Sequence, residues 1–174
     1  MRAVLIVAMI PAALLASCHQ RHSVPAHGDT PGDRLEAAAQ AAGVVADPAH
    51  ADPIGSYGRD NDRLCVVPGG AGAYRIGVLV RFEDGQGCTA RGTATRSGDR
   101  LDMSLDMNLD GEPCRVAARF EGDRIVLPAE LPPGCDRRCT GRASLAALDV
   151  ERLSDGTAEA TAQVDGKGNP LCGG

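Results

Sequence analysis

Nine residues, Leu101 to Leu109, alternate strictly between apolar and polar side chains. Leu101, Met103, Leu105, Met107 and Leu109 hold the odd positions; Asp102, Ser104, Asp106 and Asn108 hold the even ones. Successive side chains of a strand point to opposite faces, so this segment predicts one buried face and one wet face. Asp110-Gly111 follows, a pair able to adopt the positive φ angles of a two-residue hairpin turn, and Cys114 to Phe120 then alternates again. That turn sets Met107 against Cys114, Leu105 against Val116 and Leu101 against Phe120 on the inner face. On the outer face it sets Asp106 against Arg115 and Asp102 against Arg119. Opposite charges across a strand pair favour the register by ~0.2–1 kcal/mol each.

The neighbouring segments extend the pattern. Arg96 to Leu101 and Phe120 to Ile125 share a Gly-Asp-Arg-apolar turn, which predicts that 88–96 pairs with 100–109 and 114–120 with 124–128. Tyr74 to Phe82 is a further strand, turned by Asp84-Gly85, and Leu64 to Val67 a shorter one. Gly69-Gly70-Ala71-Gly72 reads as a hairpin loop rather than a phosphate cradle, because β alternation and not a helix start follows it. The expected fold is mainly β: an antiparallel up-and-down meander of about six strands, forming a small sheet or barrel. On its inner face Ala90, Gly92, Ala94 and Ala118 alternate with larger Leu, Met and Phe, which suits a filled core better than a roomy cavity. Pro132-Pro133-Gly134 then breaks the pattern. Ala143 to Leu153 is read as strand, and 154–174 as a loop or short helix pinned by Cys172.

Ahead of the strands, Thr30 can cap a helix that has Pro31 at its first position and ends at Gly43. Leu35, Ala38, Ala39 and Ala42 share one face of it, expected to dock on the β domain. Residues 19–30 are polar, with His, Pro and Gly interspersed, and read as a solvated tether.

The chain has no tryptophan and only four aromatics, Tyr57, Tyr74, Phe82 and Phe120, so its core must rely on aliphatic side chains. Disulfides can compensate, at ~2–4 kcal/mol each. Seven cysteines are present; with Cys18 set aside, Cys65, Cys88, Cys114, Cys135, Cys139 and Cys172 make an even set. Spacing alone does not choose their pairing. A zinc site is disfavoured, since Cys135 and Cys139 stand four apart, no Cys-x-x-Cys pair occurs and the strand region has no histidine.

Cys18 is set aside because of what precedes it. Arg2 leads into an apolar run from Ala3 to Leu15, too short to span a bilayer, which needs ~20 such residues. Leu15-Ala16-Ser17-Cys18 resembles the lipobox of bacterial prolipoproteins. The resemblance covers the first eighteen residues and implies cleavage before Cys18, acylation of its sulfur and a palmitate-bearing membrane anchor. With His19, not Asp, after the cysteine, it further implies outer-membrane sorting, facing the periplasm. The expected organisation is a signal peptide at 1–17, lipidated Cys18 and tether to 30, helix and lead-in at 31–53, and a disulfide-stapled β domain at 54–174.

Catalytic and cofactor signatures are weak. All four histidines, His19, His22, His27 and His50, precede the strands, so a serine or cysteine nucleophile there would lack an imidazole base. Asp102 and Asp106 are expected to be ionised beside arginines. Asp106-x-Asn108-x-Asp110-Gly111 matches half a calcium loop, but its twelfth position is Ala117 where a Glu is needed. Eighteen basic against 23 acidic residues leave a net charge of −5, and the arginines stand singly apart from Arg137-Arg138, read as background composition and not as a nucleic-acid face. The expectation is therefore a non-catalytic envelope protein with no cofactor and no metal, a protein-binding or structural accessory domain. A small-ligand carrier and an inhibitor of an envelope-attacking hydrolase are the alternatives. Periplasmic lysozyme inhibitors are likewise small, disulfide-bearing β-barrel lipoproteins, an architectural analogy only.

Overall fold

Eight strands run up and down in sequence order and close on themselves: β1 (Gly55–Arg59), β2 (Asp62–Pro68), β3 (Tyr74–Arg81), β4 (Gly87–Ser97), β5 (Arg100–Asp106), β6 (Cys114–Phe120), β7 (Arg124–Val126) and β8 (Asp149–Ser154). The computed structural model describes residues 30–106, 113–137 and 139–173. Every neighbour is antiparallel, and β8 completes the ring by pairing with both β7 and β1. The meander expected from the sequence is thus a closed barrel of eight strands rather than about six. One added strand is β1, where Tyr57 is the sole large apolar residue of Gly55–Arg59 and no alternation shows. The other is β8, expected as a strand over 143–153 after the meander and confined to Asp149–Ser154. Ala143 to Leu148, read as part of that strand, instead folds into the barrel end, with Ala147 at φ 57 breaking any extended run.

The β5–β6 hairpin keeps the expected faces but not the expected register. Leu105 stands opposite Cys114, Met103 opposite Val116 and Leu101 opposite Ala118, a slip of two residues. Such a slip leaves every side chain on its face, so alternation cannot detect it. Pro113 has no amide to give a ladder, and among the described residues the β5–β6 pairing starts with Leu105 and Cys114. The Asp110-Gly111 turn lies outside the described residues. The expected pairs Asp106–Arg115 and Asp102–Arg119 therefore do not face each other; Ser104 is opposite Arg115 and Ala117 opposite Asp102. Arg100 and Arg119 come face to face instead, and each takes a carboxylate from its own chain segment, Asp102 at 2.9 Å and Glu121 at 2.6 Å.

Inside, small residues meet large ones: Gly92 pairs with Leu105 and Ile76, Ala94 with Met103 and Tyr74, Ala118 with Leu101. A Cβ at Gly92 would lie 2.0 Å from the Ser104 carbonyl oxygen, so only glycine permits this approach. Tyr57, Leu64, Ile76, Leu101, Met103, Leu105, Phe120 and Ile125 are almost wholly buried.

Helix α1 (Pro31–Ala41) begins as expected, with the Thr30 side chain accepting from the Asp33 amide and Asp33 returning a bond to the Thr30 amide. It does not dock. None of its residues is buried, and Leu35 is 73% exposed. Its alanine-rich face offers little area, and the segment after it makes the contact instead. A second small core lies outside the barrel, where α2 (Thr157–Ala162) and the C-terminal segment cover β2 and β3 through Val67, Leu79, Ala160 and Leu171. Gly77 makes that layer fit: a Cβ there would sit 2.3 Å from the Leu171 carbonyl oxygen. Gly77→Ala should lower the urea midpoint, by ~1–3 kcal/mol of overpacking, whereas Gly70→Ala, into open space, should not. Equal midpoints for the two variants would contradict this packing.

Candidate functional site

The two ends of the barrel are closed by different chemistry. At the end where β1 begins and β4 and β8 finish, residues 46–54 lie across the opening as a strap. Arg96 and Arg152 hold it. Arg96 follows Cys88, Ala90, Gly92 and Ala94 on the inner parity of β4, and Arg152 follows Val150 on β8. Arg152 donates to the carbonyls of Ile54 at 2.9 Å, Asp52 at 2.6 Å and Gly122 at 2.7 Å. Arg96 donates to the carbonyls of Pro48 and Ala51. Both guanidinium groups also stack on the core, Arg96 at 5.2 Å from the Phe120 ring centre and Arg152 at 5.1 Å from that of Tyr57. The Tyr57 hydroxyl donates to the Pro53 carbonyl, and burial pushes its pKa up despite the neighbouring Arg152. Two arginines read from the sequence as scattered background are thus the clasp of the strap. Their signal was present: each continues the inward parity of a strand past its last apolar residue.

The opposite end is filled by the β7–β8 connection, a plug whose Leu127, Cys135, Ala143, Leu145 and Leu148 join the barrel core. Two disulfides fasten it, Cys114–Cys135 to β6 and Cys88–Cys139 to β4. The third, Cys65–Cys172, fastens the C-terminal segment to β2. All six cysteines expected to form a framework are paired in this way. Cys18, the expected lipidation site, lies outside the described residues, as do His19, His22 and His27 and the calcium-like Asn108 to Gly111. Cys88, Cys139 and Asp136 lie within 4.8 Å of one another, the spacing of a metal site. The two sulfurs are bonded to each other, however, and a disulfide is not a thiolate ligand.

Along the closing seam, Arg59 of β1 and Arg124 of β7 both reach Asp149 of β8, and Arg59 also reaches Glu151. The Arg124 guanidinium, with help from Arg59 and against partial burial, holds the Asp149 carboxyl below the usual carboxylate range. Asp102 and Asp106, expected beside arginines, have arginine neighbours other than the expected Arg119 and Arg115. Asp102 pairs with Arg100, and Asp106 stands opposite Arg91 on β4.

A concavity of about 1010 Å³ forms a groove at the plug end of the outer wall. It runs between the β3–β4 connection, the plug segment and the C-terminal turn, and Phe82, 58% exposed, stands in its lining. Arg81, Arg91, Arg137 and Lys167 bring positive charge to it, and Asp84 and Asp165 negative. Asp165 orders the C-terminal turn, accepting from the amides of Lys167 and Asn169, the Asn169 side chain and Arg91. Burial pushes its carboxyl up, but these donors outweigh burial and hold its pKa at about 2. A smaller cleft of about 520 Å³ lies beneath the strap, where Glu36, Asp99, Asp123 and Glu151 face Arg119 and Arg124.

No protein-family model matches this chain, and neither a curated protein nor a solved structure matches it. The fold and the groove define a plugged, disulfide-stapled up-and-down barrel. No helix among the described residues is long and apolar enough to cross a membrane.

Because the folded pKa of Asp165 lies below its unfolded value of about 3.9, its contribution to stability is complete above that pH and is lost as pH falls through about 2. Amide exchange at Lys167 and Asn169 should accelerate across that window in the native protein but not in Asp165→Asn, which should exchange fast throughout. Protection that is flat with pH in both would contradict the assignment.

Proposed function

We propose that this protein is a lipid-anchored component of the cell envelope, held at the outer membrane and facing the periplasm, whose barrel binds a protein partner without catalysing a reaction. The groove at the plug end carries this reading. Arginine and aromatic side chains supply most of the binding energy at protein interfaces, and here Phe82 shares one concavity with Arg81, Arg91 and Arg137. Its position supports the same conclusion. The chain from Cys18 would reach the barrel through the tether, α1 and the strap, and the groove is at the barrel end opposite the strap. Two acyl chains suffice for stable anchoring, where one binds only marginally. The interior is occupied by buried side chains, which favours a partner on the outer wall over an apolar ligand carried within.

The test uses cells that make the full chain. Labelled palmitate should enter the native protein and not Cys18→Ala. A photo-crosslinker at Phe82 should trap one discrete protein adduct that is absent when the crosslinker stands at Arg115 on a different strand, and that is lost in Cys18→Ala. Palmitate in Cys18→Ala would contradict the anchor, and the same adducts from both crosslinker positions, or none from either, would contradict the groove.

A further inference from the structure

The three disulfides are not equally accessible. Cys65 and Cys172 are 0% and 4% exposed, and Cys114 and Cys135 are 5% and 1% exposed. Cys139 alone among the six is more than marginally exposed, and it opens into the groove with its partner Cys88 buried behind it. Reagents reach a disulfide through its exposed sulfur, so access singles out this bridge.

The surroundings would tolerate its opening. Thr140 donates its amide to the Gly87 carbonyl at 2.8 Å, and Gly87 donates to the Thr140 hydroxyl at 3.0 Å. The Arg142 amide reaches the Gln86 side chain at 3.2 Å. Four residues before Cys139, Cys135 stays bonded to Cys114. Breaking Cys88–Cys139 therefore leaves the plug held by one covalent staple and by hydrogen bonds on the far side of the break. Breaking Cys65–Cys172 would remove the single covalent hold on the C-terminal segment, and Cys114–Cys135, the plug's other staple, offers no exposed sulfur, its cysteines being 5% and 1% exposed. Charge favours the approach as well. An attacking thiolate is an anion, and Arg81, Arg91, Arg137 and Lys167 outnumber Asp84 and Asp165 in the groove lining, against the Asp136 carboxylate 3.6 Å from Cys139 Sγ, which accepts from the Ser144 hydroxyl and the Leu145 amide.

We propose that Cys88–Cys139 is a thiol–disulfide exchange site, reversibly reduced by a dithiol that enters the groove. The dithiol's thiolate attacks Sγ of Cys139, forming a mixed disulfide; the Cys88–Cys139 bond breaks, and Cys88 leaves as a thiolate that takes up a proton. The second thiol of the reductant attacks its own bonded sulfur, loses its proton and releases Cys139, which is protonated in turn. The bridge gains two electrons and two protons, and the dithiol becomes a disulfide. The site does not depend on which partner the groove binds.

The test is a time course of the native full chain in dithiothreitol without denaturant, with free thiols trapped by alkylation and assigned by peptide mass mapping. Cys88 and Cys139 should be alkylated together at least tenfold faster than the other four, while the far-ultraviolet circular dichroism of the barrel is unchanged. Reoxidation by oxidised dithiothreitol should restore the same pair. Simultaneous opening of all three bridges, an earlier opening of either other bridge, or loss of the barrel signal as Cys88 and Cys139 appear would overturn the proposal.

Discussion

Closure of the sheet by β8 is the constraint from which the rest of the molecule follows. β8 hydrogen-bonds β7 on one side and β1 on the other, so no strand among the described residues is left at a sheet edge. A closed ring also encloses its inner positions, which must then be filled to the density of a protein interior. Close strand approach at Gly92 and the small residues Ala90, Ala94 and Ala118 make room for Leu101, Met103 and Leu105. Closure also leaves two open ends, and each has to be covered by chain that is not part of the ring.

The two covers use different physics. At the plug end the connection from β7 to β8 contributes aliphatic residues and is tied by two disulfides. At the strap end no disulfide is present among the described residues. Arg96 and Arg152 donate to strap carbonyls while their planar groups lie over Phe120 and Tyr57, the two aromatics of the buried core. Each arginine thereby gives backbone acceptors of the strap a donor, and covers an aromatic face with the same group. In a chain with four aromatics, two are spent at this end, where the described residues form no disulfide. The covalently fastened end is the one that carries the groove, with a reducible bridge in its lining.

Much of the wall was legible in the sequence, and the reason is physical. Alternation reports which face a residue occupies, so the inner residues of β3 to β6, the Gly-Asp turns and the filled character of the core all followed from period two. Alternation is blind to a slip of two residues, which is why the β5–β6 faces were right and the register was not. β1 was invisible because Gly55 and Gly58 leave Tyr57 as its only inward signal. The dock expected of α1 failed because alanines advertise a face without supplying much area to bury. Cysteine pairing and the groove depend on segments far apart in the chain, around residues 61, 82, 91, 139 and 167, which meet only after the ring has closed. No local pattern could have assembled them.

The claim on which this account rests is that β8 belongs to two ladders at once. Nuclear Overhauser contacts between the backbones of β8 and both its neighbours test it most directly. Tyr57 to Arg152 and Gly58 to Glu151 should give cross-strand contacts alongside Ile125 to Val150 and Val126 to Asp149. Contacts from β8 to β7 with none from β8 to β1 would mean an open sheet, and the account of its filled interior and covered ends would fall with the closure.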